Sequence, residues 1–304
     1  EDFPFEYALY FSTDHHRGKG GIWLYVCSGI PSEPGCWRSY DDAVAAGAFD
    51  HIEQKPSKNP IYVDTVQGNQ TETPHANVID GIVYMTYHNK GAGHHQSTLL
   101  ATSPDGVNFT RINGDADSVI LDYDPKIAPG NGHTGYFRWG PNPFERVRYR
   151  YIGYSLHGGG PRPGSAMWGS NDVVRWEIID QTKRISFHGS EARQRIFWQI
   201  DPSSIRKVDE SRYAAITAGG VPHHGKMKRH AQIYEVYLSP EGAEIIDFPR
   251  LILPRGSDHN DDALMAFQPA VLTVTGKTYL IYTAVSKNGE KNSLMSAVGS
   301  WGGQ

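Results

Sequence analysis

Stretches in which apolar and polar residues alternate recur along the chain, and aromatic residues fill many of the apolar positions. The clearest are 5–14, 81–89, 147–158, 210–220 and 276–286. Alternation with period two marks a half-buried strand, and aromatic and β-branched residues favour it. Asp80-Gly81, Asp209-Glu210 and Thr275-Gly276 lead into three of these stretches, as hairpin turns do. Only 40–49 has a helical rhythm, and it is weak. The pattern predicts an all-β chain of short strands.

The strands repeat. Aligning Tyr10, Tyr87, Tyr154, Ile216 and Tyr282 gives steps of 77, 67, 62 and 66 residues. A second feature runs in phase with steps of 67 and 69: Ser103-Pro104-Asp105-Gly106 ahead of Phe109, Ser170-Asn171-Asp172 ahead of Trp176, and Ser239-Pro240-Glu241-Gly242. A unit of this size holds about four strands, so five units predict a five-bladed β-propeller with four-stranded antiparallel blades. The expectation is a single domain over 1–304. A β-sandwich is the rival. Blade 1 lacks a clear inner strand ahead of its Tyr-rich one; the inner strands of the other blades fall at 72–78, 132–139, 198–205 and 266–272.

With 38% hydrophobic and 20% charged residues, the chain can bury a sizeable core, which excludes wholesale disorder. A formal net charge of -4 argues against nucleic acid as partner. No apolar run approaches the ~18 residues of a membrane span. The chain opens at Glu1 without Met, which fits a mature exported product or a trimmed one, and the expected location is secreted or periplasmic. Cys27 and Cys36 either close a small loop in an oxidising compartment or remain two thiols, and the sequence leaves both open. Asn69-Gln70-Thr71 and Asn108-Phe109-Thr110 match the glycosylation sequon, a pattern that recurs by chance.

Asp80-Gly81 with Tyr84 and Tyr87, then Ala101-Thr102-Ser103-Pro104-Asp105-Gly106 with Phe109, form one recognisable run. Ile200-Asp201-Pro202-Ser203-Ser204-Ile205 ahead of Tyr213 forms another. Both resemble the five-bladed propeller glycosidases, the group of arabinanases, xylosidases, invertases and neoagarooligosaccharide hydrolases. The resemblance covers most of the chain, and its motifs are largely structural. It implies the propeller and a role on carbohydrate without naming the sugar. Two departures stand out. The family sets an Asp on the first inner strand and a Glu, often before Gly-Pro, on a later one. Here no Glu-Gly-Pro occurs and no first-blade Asp is obvious. Histidine is abundant instead, 14 in all, and the resemblance to the anhydrogalactose-releasing members implies a His as general acid.

Glycoside cleavage needs an acid for the leaving oxygen and a carboxylate to activate water or attack carbon. Asp201, on a Trp-flanked inner strand, is the first candidate carboxylate, since burial there is costly unless the group is paired or used. Asp14, at the end of the first Tyr-rich strand, is the second. Their bland alternatives are a carboxylate satisfied by backbone amides and an ordinary turn residue. His75 and His133, on expected inner strands, are candidate acids or else core imidazoles. Glu72 and Asn77 share the strand of His75. For substrate binding, His88 and His157 follow successive Tyr-rich strands at matching places. Arg138 suits an acidic group, Trp139 and Trp198 suit sugar faces, and Gln268 is the polar residue of the last inner strand. The basic stretch 223–230 would draw an acidic sugar. No metal ligands are assigned: neighbouring histidines on a strand point opposite ways. The oxygen-rich stretch 257–262 suits a structural Ca²⁺ without the full calcium-loop pattern, and the expected chemistry requires no cofactor.

Three functions compete. The first is a glycoside hydrolase on an oligosaccharide or polysaccharide. The second is a polysaccharide lyase, with a His or Tyr base and an Arg or His neutralising a uronate. The third is a non-catalytic binding propeller. A lectin would repeat its binding residues in every blade. His75, His133, Asp201 and Gln268 differ, which favours one asymmetric site and puts the hydrolase first.

Overall fold

The computed structural model describes residues 3–13, 20–33, 35–65, 70–90, 96–112, 119–122, 134–157, 164–179, 186–188, 194–198, 200–220, 231–256, 265–286 and 292–299. Its strands form five antiparallel sheets in chain order, the blades of an all-β propeller. Blade 1 holds β1 (Tyr7–Thr13), β2 (Gly21–Cys27) and β3 (Arg38–Ser39). Blade 2 holds β4 (Glu72–Ile79), β5 (Ile82–Lys90), β6 (Gln96–Ser103), β7 (Thr110–Arg111) and the added β8 (Val119–Leu121). Blade 3 is β9 (Thr134–Pro141), β10 (Tyr151–His157), β11 (Gly164–Ser170) and β12 (Glu177–Ile178). Blade 4 runs from β13 (Ser186–His188) and β14 (Gln194–Trp198) through β15 (Arg206–Asp209), β16 (Arg212–Gly220) and β17 (Gln232–Leu238) to β18 (Arg250–Leu253). Blade 5 is β19 (Met265–Val274), β20 (Lys277–Val285) and β21 (Asn292–Gly299). The chain divides into two compact units, residues 1–124 with 132–137 and residues 125–131 with 138–304.

The in-phase repeat of tyrosine and Ser-x-Asp-Gly turn has a physical cause. Tyr10 of blade 1 donates its hydroxyl to Gly106 O in the turn of blade 2, at 2.8 Å. Tyr154 of blade 3 does the same to Gly242 O of blade 4, at 3.0 Å. Each tyrosine is thus tied to the turn of the following blade, so neither feature can drift alone. The turns need the left-handed region: Gly106 and Gly242 have φ of 77° and 73°. A Cβ on Gly242 would stand 2.4 Å from the Phe144 ring. Tyr87, aligned with these tyrosines by spacing, faces the other side of its strand. Its hydroxyl goes to Asp64 Oδ2 at 2.8 Å and meets Tyr62 at 3.0 Å. A slip of one residue reverses the face of a strand, which spacing alone does not detect.

In the first unit Leu24, Val26, Tyr40, Phe49, Ile61 and Val107 form the core. The short helix α1 (Tyr40–Ala45) supplies Tyr40 and starts at Ser39, whose hydroxyl accepts from Asp42 N. It covers less than the helical rhythm of 40–49, and turns follow it. Cys27 and Cys36 are disulfide-bonded. In the second unit Phe144, Ile152, Tyr154, Ile200, Tyr213 and Val236 pack together.

The expected inner strand at 198–205 is not continuous. Its path is β14, then Asp201 capping a 3-10 turn at Pro202–Ser204, then β15. Pro202 has no N–H for a ladder, and the Asp201 side chain accepts from Ser203 N instead.

Candidate active site

Three first strands carry a non-glycine residue at positive φ in matching places: Thr73 on β4 (47°), Tyr136 on β9 (52°) and Gln268 on β19 (55°). Such φ values are costly for side-chain-bearing residues and persist only where surroundings hold them. On β4 and β19 the residue precedes a proline and sits in a register break, between Glu72 and His75 and between Phe267 and Ala270. Both are β-bulges, where a missing proline N–H is tolerated.

The bulge on β4 decides what blade 2 presents. Glu72 lies opposite His88 and His75 opposite Thr86. His88 and Thr86 are two apart on β5 and share a face, so Glu72 and His75, three apart, share it too. Without the bulge, one would face the other way. Asn77 extends the same row, its Nδ2 3.2 Å from His75 Nε2.

Glu72 and His88 form a buried acid–base pair, 3% and 1% exposed, with Oε2 and Nε2 3.2 Å apart. His88 Nδ1 meets the Thr73 hydroxyl at 2.5 Å. Nδ1 thus meets a hydroxyl that can donate or accept, while Nε2 lies toward the carboxylate. Thr73 is itself placed by its N–H, which donates to Ser12 Oγ at 3.1 Å. The half-buried Tyr136 ring lies 5.3 Å from the imidazole. Burial, then the charge of Glu72, pushes its phenol up to about 12. At neutral pH Tyr136 is a hydrogen-bond donor and a poor base.

Asp201 has different surroundings. Oδ1 accepts from Ser203 N and Ser203 Oγ at 3.0 and 2.7 Å, and Oδ2 accepts from Val271 N at 3.0 Å. Arg138 Nη1 stands 3.7 Å from Oδ2 and donates to Pro269 O. Two of these donors are backbone amides, as in the alternative the sequence set beside catalysis. Arg138, expected to clamp an acidic ligand group, instead serves Asp201 and Pro269. Trp139, expected as a sugar face, is 1% exposed and packs edge-on to Tyr151 and Trp176; a ring that buried stacks on no ligand. Gln268 is half-buried, and Thr283 Oγ1 donates to its Oε1 at 2.8 Å.

Asp14 and His133 lie outside the described residues, as do 223–230 and 257–262. His157 ends β10 and Trp198 ends β14, and their side chains are outside the description. The sequence reading placed Glu72 on an inner strand but gave it no role. The missed signal was proline: Pro74, Pro202 and Pro269 lie two repeats and one repeat apart, and mark where first strands bulge or break. Among the described residues no group of three His, Cys, Asp or Glu could hold a metal ion, and no helix is long and apolar enough to cross a membrane.

No family model matches the chain, and no curated protein matches it. Solved structures do. A complex of BT0996 with RGII superposes with TM-score 0.63 at 14% identity, covering 98% of this chain and 84% of that one. A glycoside hydrolase gives 0.63 at 14%, covering 96% and 86%. An N-acetylgalactosamine deacetylase from F. plautii, in complex with blood group B trisaccharide, gives 0.61 at 13%, covering 99% and 87%. At such identities the likeness is one of fold, and a fold hosts more than one chemistry. The propeller inferred from the repeat is the fold this chain shares with a solved glycoside hydrolase.

Proposed function

We propose that this chain is a glycoside hydrolase that cleaves an oligosaccharide with Glu72 as its working carboxylate. The observation that carries the reading is the buried Glu72–His88 pair at the β4 bulge, beside half-buried Tyr136. His88 Nε2 stands 3.2 Å from Oε2 of this carboxylate, the group that would activate water or attack carbon. Tyr136 donates to a sugar oxygen. His75, on the same face as Glu72, is the acid for the leaving oxygen, with His133 and Asp14 as further candidates. Fold likeness to a glycoside hydrolase and to a deacetylase bound to a trisaccharide supports a carbohydrate substrate. The Cys27–Cys36 disulfide supports a secreted or periplasmic location. A structural Ca²⁺ at 257–262 remains part of the proposal, and loss of thermal stability in chelator would support it.

The lyase reading loses ground at Tyr136, whose raised phenol makes it a poor base. Incubation with neutral and acidic polysaccharides, following reducing ends and the ultraviolet absorbance of unsaturated uronates together, separates the readings. Reducing ends alone, abolished by Glu72→Gln, support hydrolysis. Absorbance rising with them would replace it by elimination, and neither signal across the panel would favour a binding protein.

A further inference from the structure

Hydroxyl groups hold the bulge on the first strand of blade 2 at both ends. Thr73 sits at φ 47° ahead of Pro74, where the register breaks between Glu72 and His75. Its N–H donates to Ser12 Oγ on β1 at 3.1 Å. Past the proline, which has no N–H, His75 O accepts from Thr86 Oγ1 on β5 at 3.2 Å. A bulge takes peptide groups out of the ladder, and side chains of the neighbouring blade and of the paired strand meet them here. All of these residues belong to the first compact unit.

A β-branched residue at such a φ is an outlier, and glycine would adopt it without strain. What threonine adds is a hydroxyl, and that hydroxyl meets His88 Nδ1 at 2.5 Å. His88 Nε2 lies 3.2 Å from Glu72 Oε2. Glu72 and Thr73 are chain neighbours, whose side chains on a regular strand point opposite ways, yet both reach this one ring. The left-handed backbone at Thr73 is the departure that lets them. We propose that Thr73 and Ser12 are positioning residues for the Glu72–His88 pair: Ser12 holds the Thr73 peptide in its left-handed conformation, and the Thr73 hydroxyl holds the imidazole against the carboxylate. This assignment rests on the reading of Glu72 as the working carboxylate and deepens it, giving blade 1 a part in the site through the Thr73 peptide.

The ring nitrogens of His88 report the placement without turnover. In protein labelled with ¹⁵N-histidine they are identified by their loss in His88→Gln. Thr73→Val keeps the shape of the side chain, removes the hydroxyl and should shift the Nδ1 signal. Thr73→Ser, which restores the hydroxyl, should return it toward the wild-type position. Ser12→Ala should move the same signal toward its Thr73→Val position, and it carries the test should Thr73→Val fail to fold. Added to Thr73→Val, it should have no further effect, because Ser12 acts through Thr73. On the polysaccharide that yields reducing ends, Thr73→Val should lower kcat about 10-fold and Ser12→Ala about 3-fold, the order of one lost hydrogen bond each, with KM nearly unchanged and Thr73→Ser close to wild type. An Nδ1 signal indifferent to Thr73→Val, or displaced as far by Thr73→Ser, overturns the proposal. So does a Ser12→Ala variant that leaves the signal in place. A Glu72→Gln variant that still hydrolyses would sink the assignment of Glu72 and leave the histidine result standing, so the two failures are distinguishable.

Discussion

Two buried carboxylates, one in each compact unit, have opposite surroundings. Asp201 accepts from two backbone amides and a serine hydroxyl and faces a guanidinium that does not titrate near neutrality. Glu72 faces an imidazole whose other ring nitrogen meets the Thr73 hydroxyl. The first arrangement spends the carboxylate on backbone amides and a guanidinium. The second sets it beside an imidazole, a group that serves in acid–base chemistry. Burial therefore does not separate scaffold from chemistry; the kind of partner does.

The largest effect should come from the carboxylates themselves. Glu72→Gln should lower kcat by about 10³-fold, within the range for a lost acid–base group, while Asp201→Asn keeps most of it. Steady-state kinetics on the same substrate would break the comparison if the ranking reversed. Stability should rank the other way. Asp201→Ala leaves Arg138 buried without its acid and should cost about 3 kcal/mol in urea unfolding, whereas Glu72→Gln should change it by less than about 1 kcal/mol. Equal losses would mean that both pairs are scaffold.

Tyr136→Phe should lower kcat/KM about 10-fold through one lost hydrogen bond. The pH–rate profile should keep its shape up to pH 10, because a phenol pushed up to about 12 stays protonated there. Total loss of activity would instead mark Tyr136 as a base. The smallest effect concerns the turns. Burial tends to raise the Asp105 carboxyl, but hydrogen bonds from Asn108 N, Val107 N, the Asn108 side chain and Ser103 outweigh it and lower it. A lowered folded value gives stability that is present above the unfolded value of 3.8 and is lost as pH falls through the folded one. Urea midpoints between pH 5 and 2.5 should fall less steeply in Asp105→Asn than in wild type. Parallel slopes would contradict the assignment.

The architecture was legible because its signals are repeated and local. Alternation gave the strands, and the tyrosine and turn repeats ran in phase because Tyr10 and Tyr154 are bonded to Gly106 and Gly242. The site was less so. Asp201 looked catalytic because a buried Asp on an inner strand looks costly, and the sequence did not display the amides of Ser203 and Val271 that satisfy it. Trp139 looked like a platform because one side of a strand cannot be told from the other without register. His88 was singled out but without its partner: the bulge at Thr73-Pro74 that sets Glu72 on the same face as His75 is a backbone event. Spaced prolines announce it only once the repeat has been aligned on them.

The most direct test is one incubation series in which wild type, Glu72→Gln and Asp201→Asn meet the same polysaccharide panel, with reducing ends and unsaturated-uronate absorbance followed together. The account predicts reducing ends without absorbance for wild type, near silence for Glu72→Gln and retained turnover for Asp201→Asn. Silence of Asp201→Asn with an active Glu72→Gln, or absorbance rising with reducing ends, would contradict it.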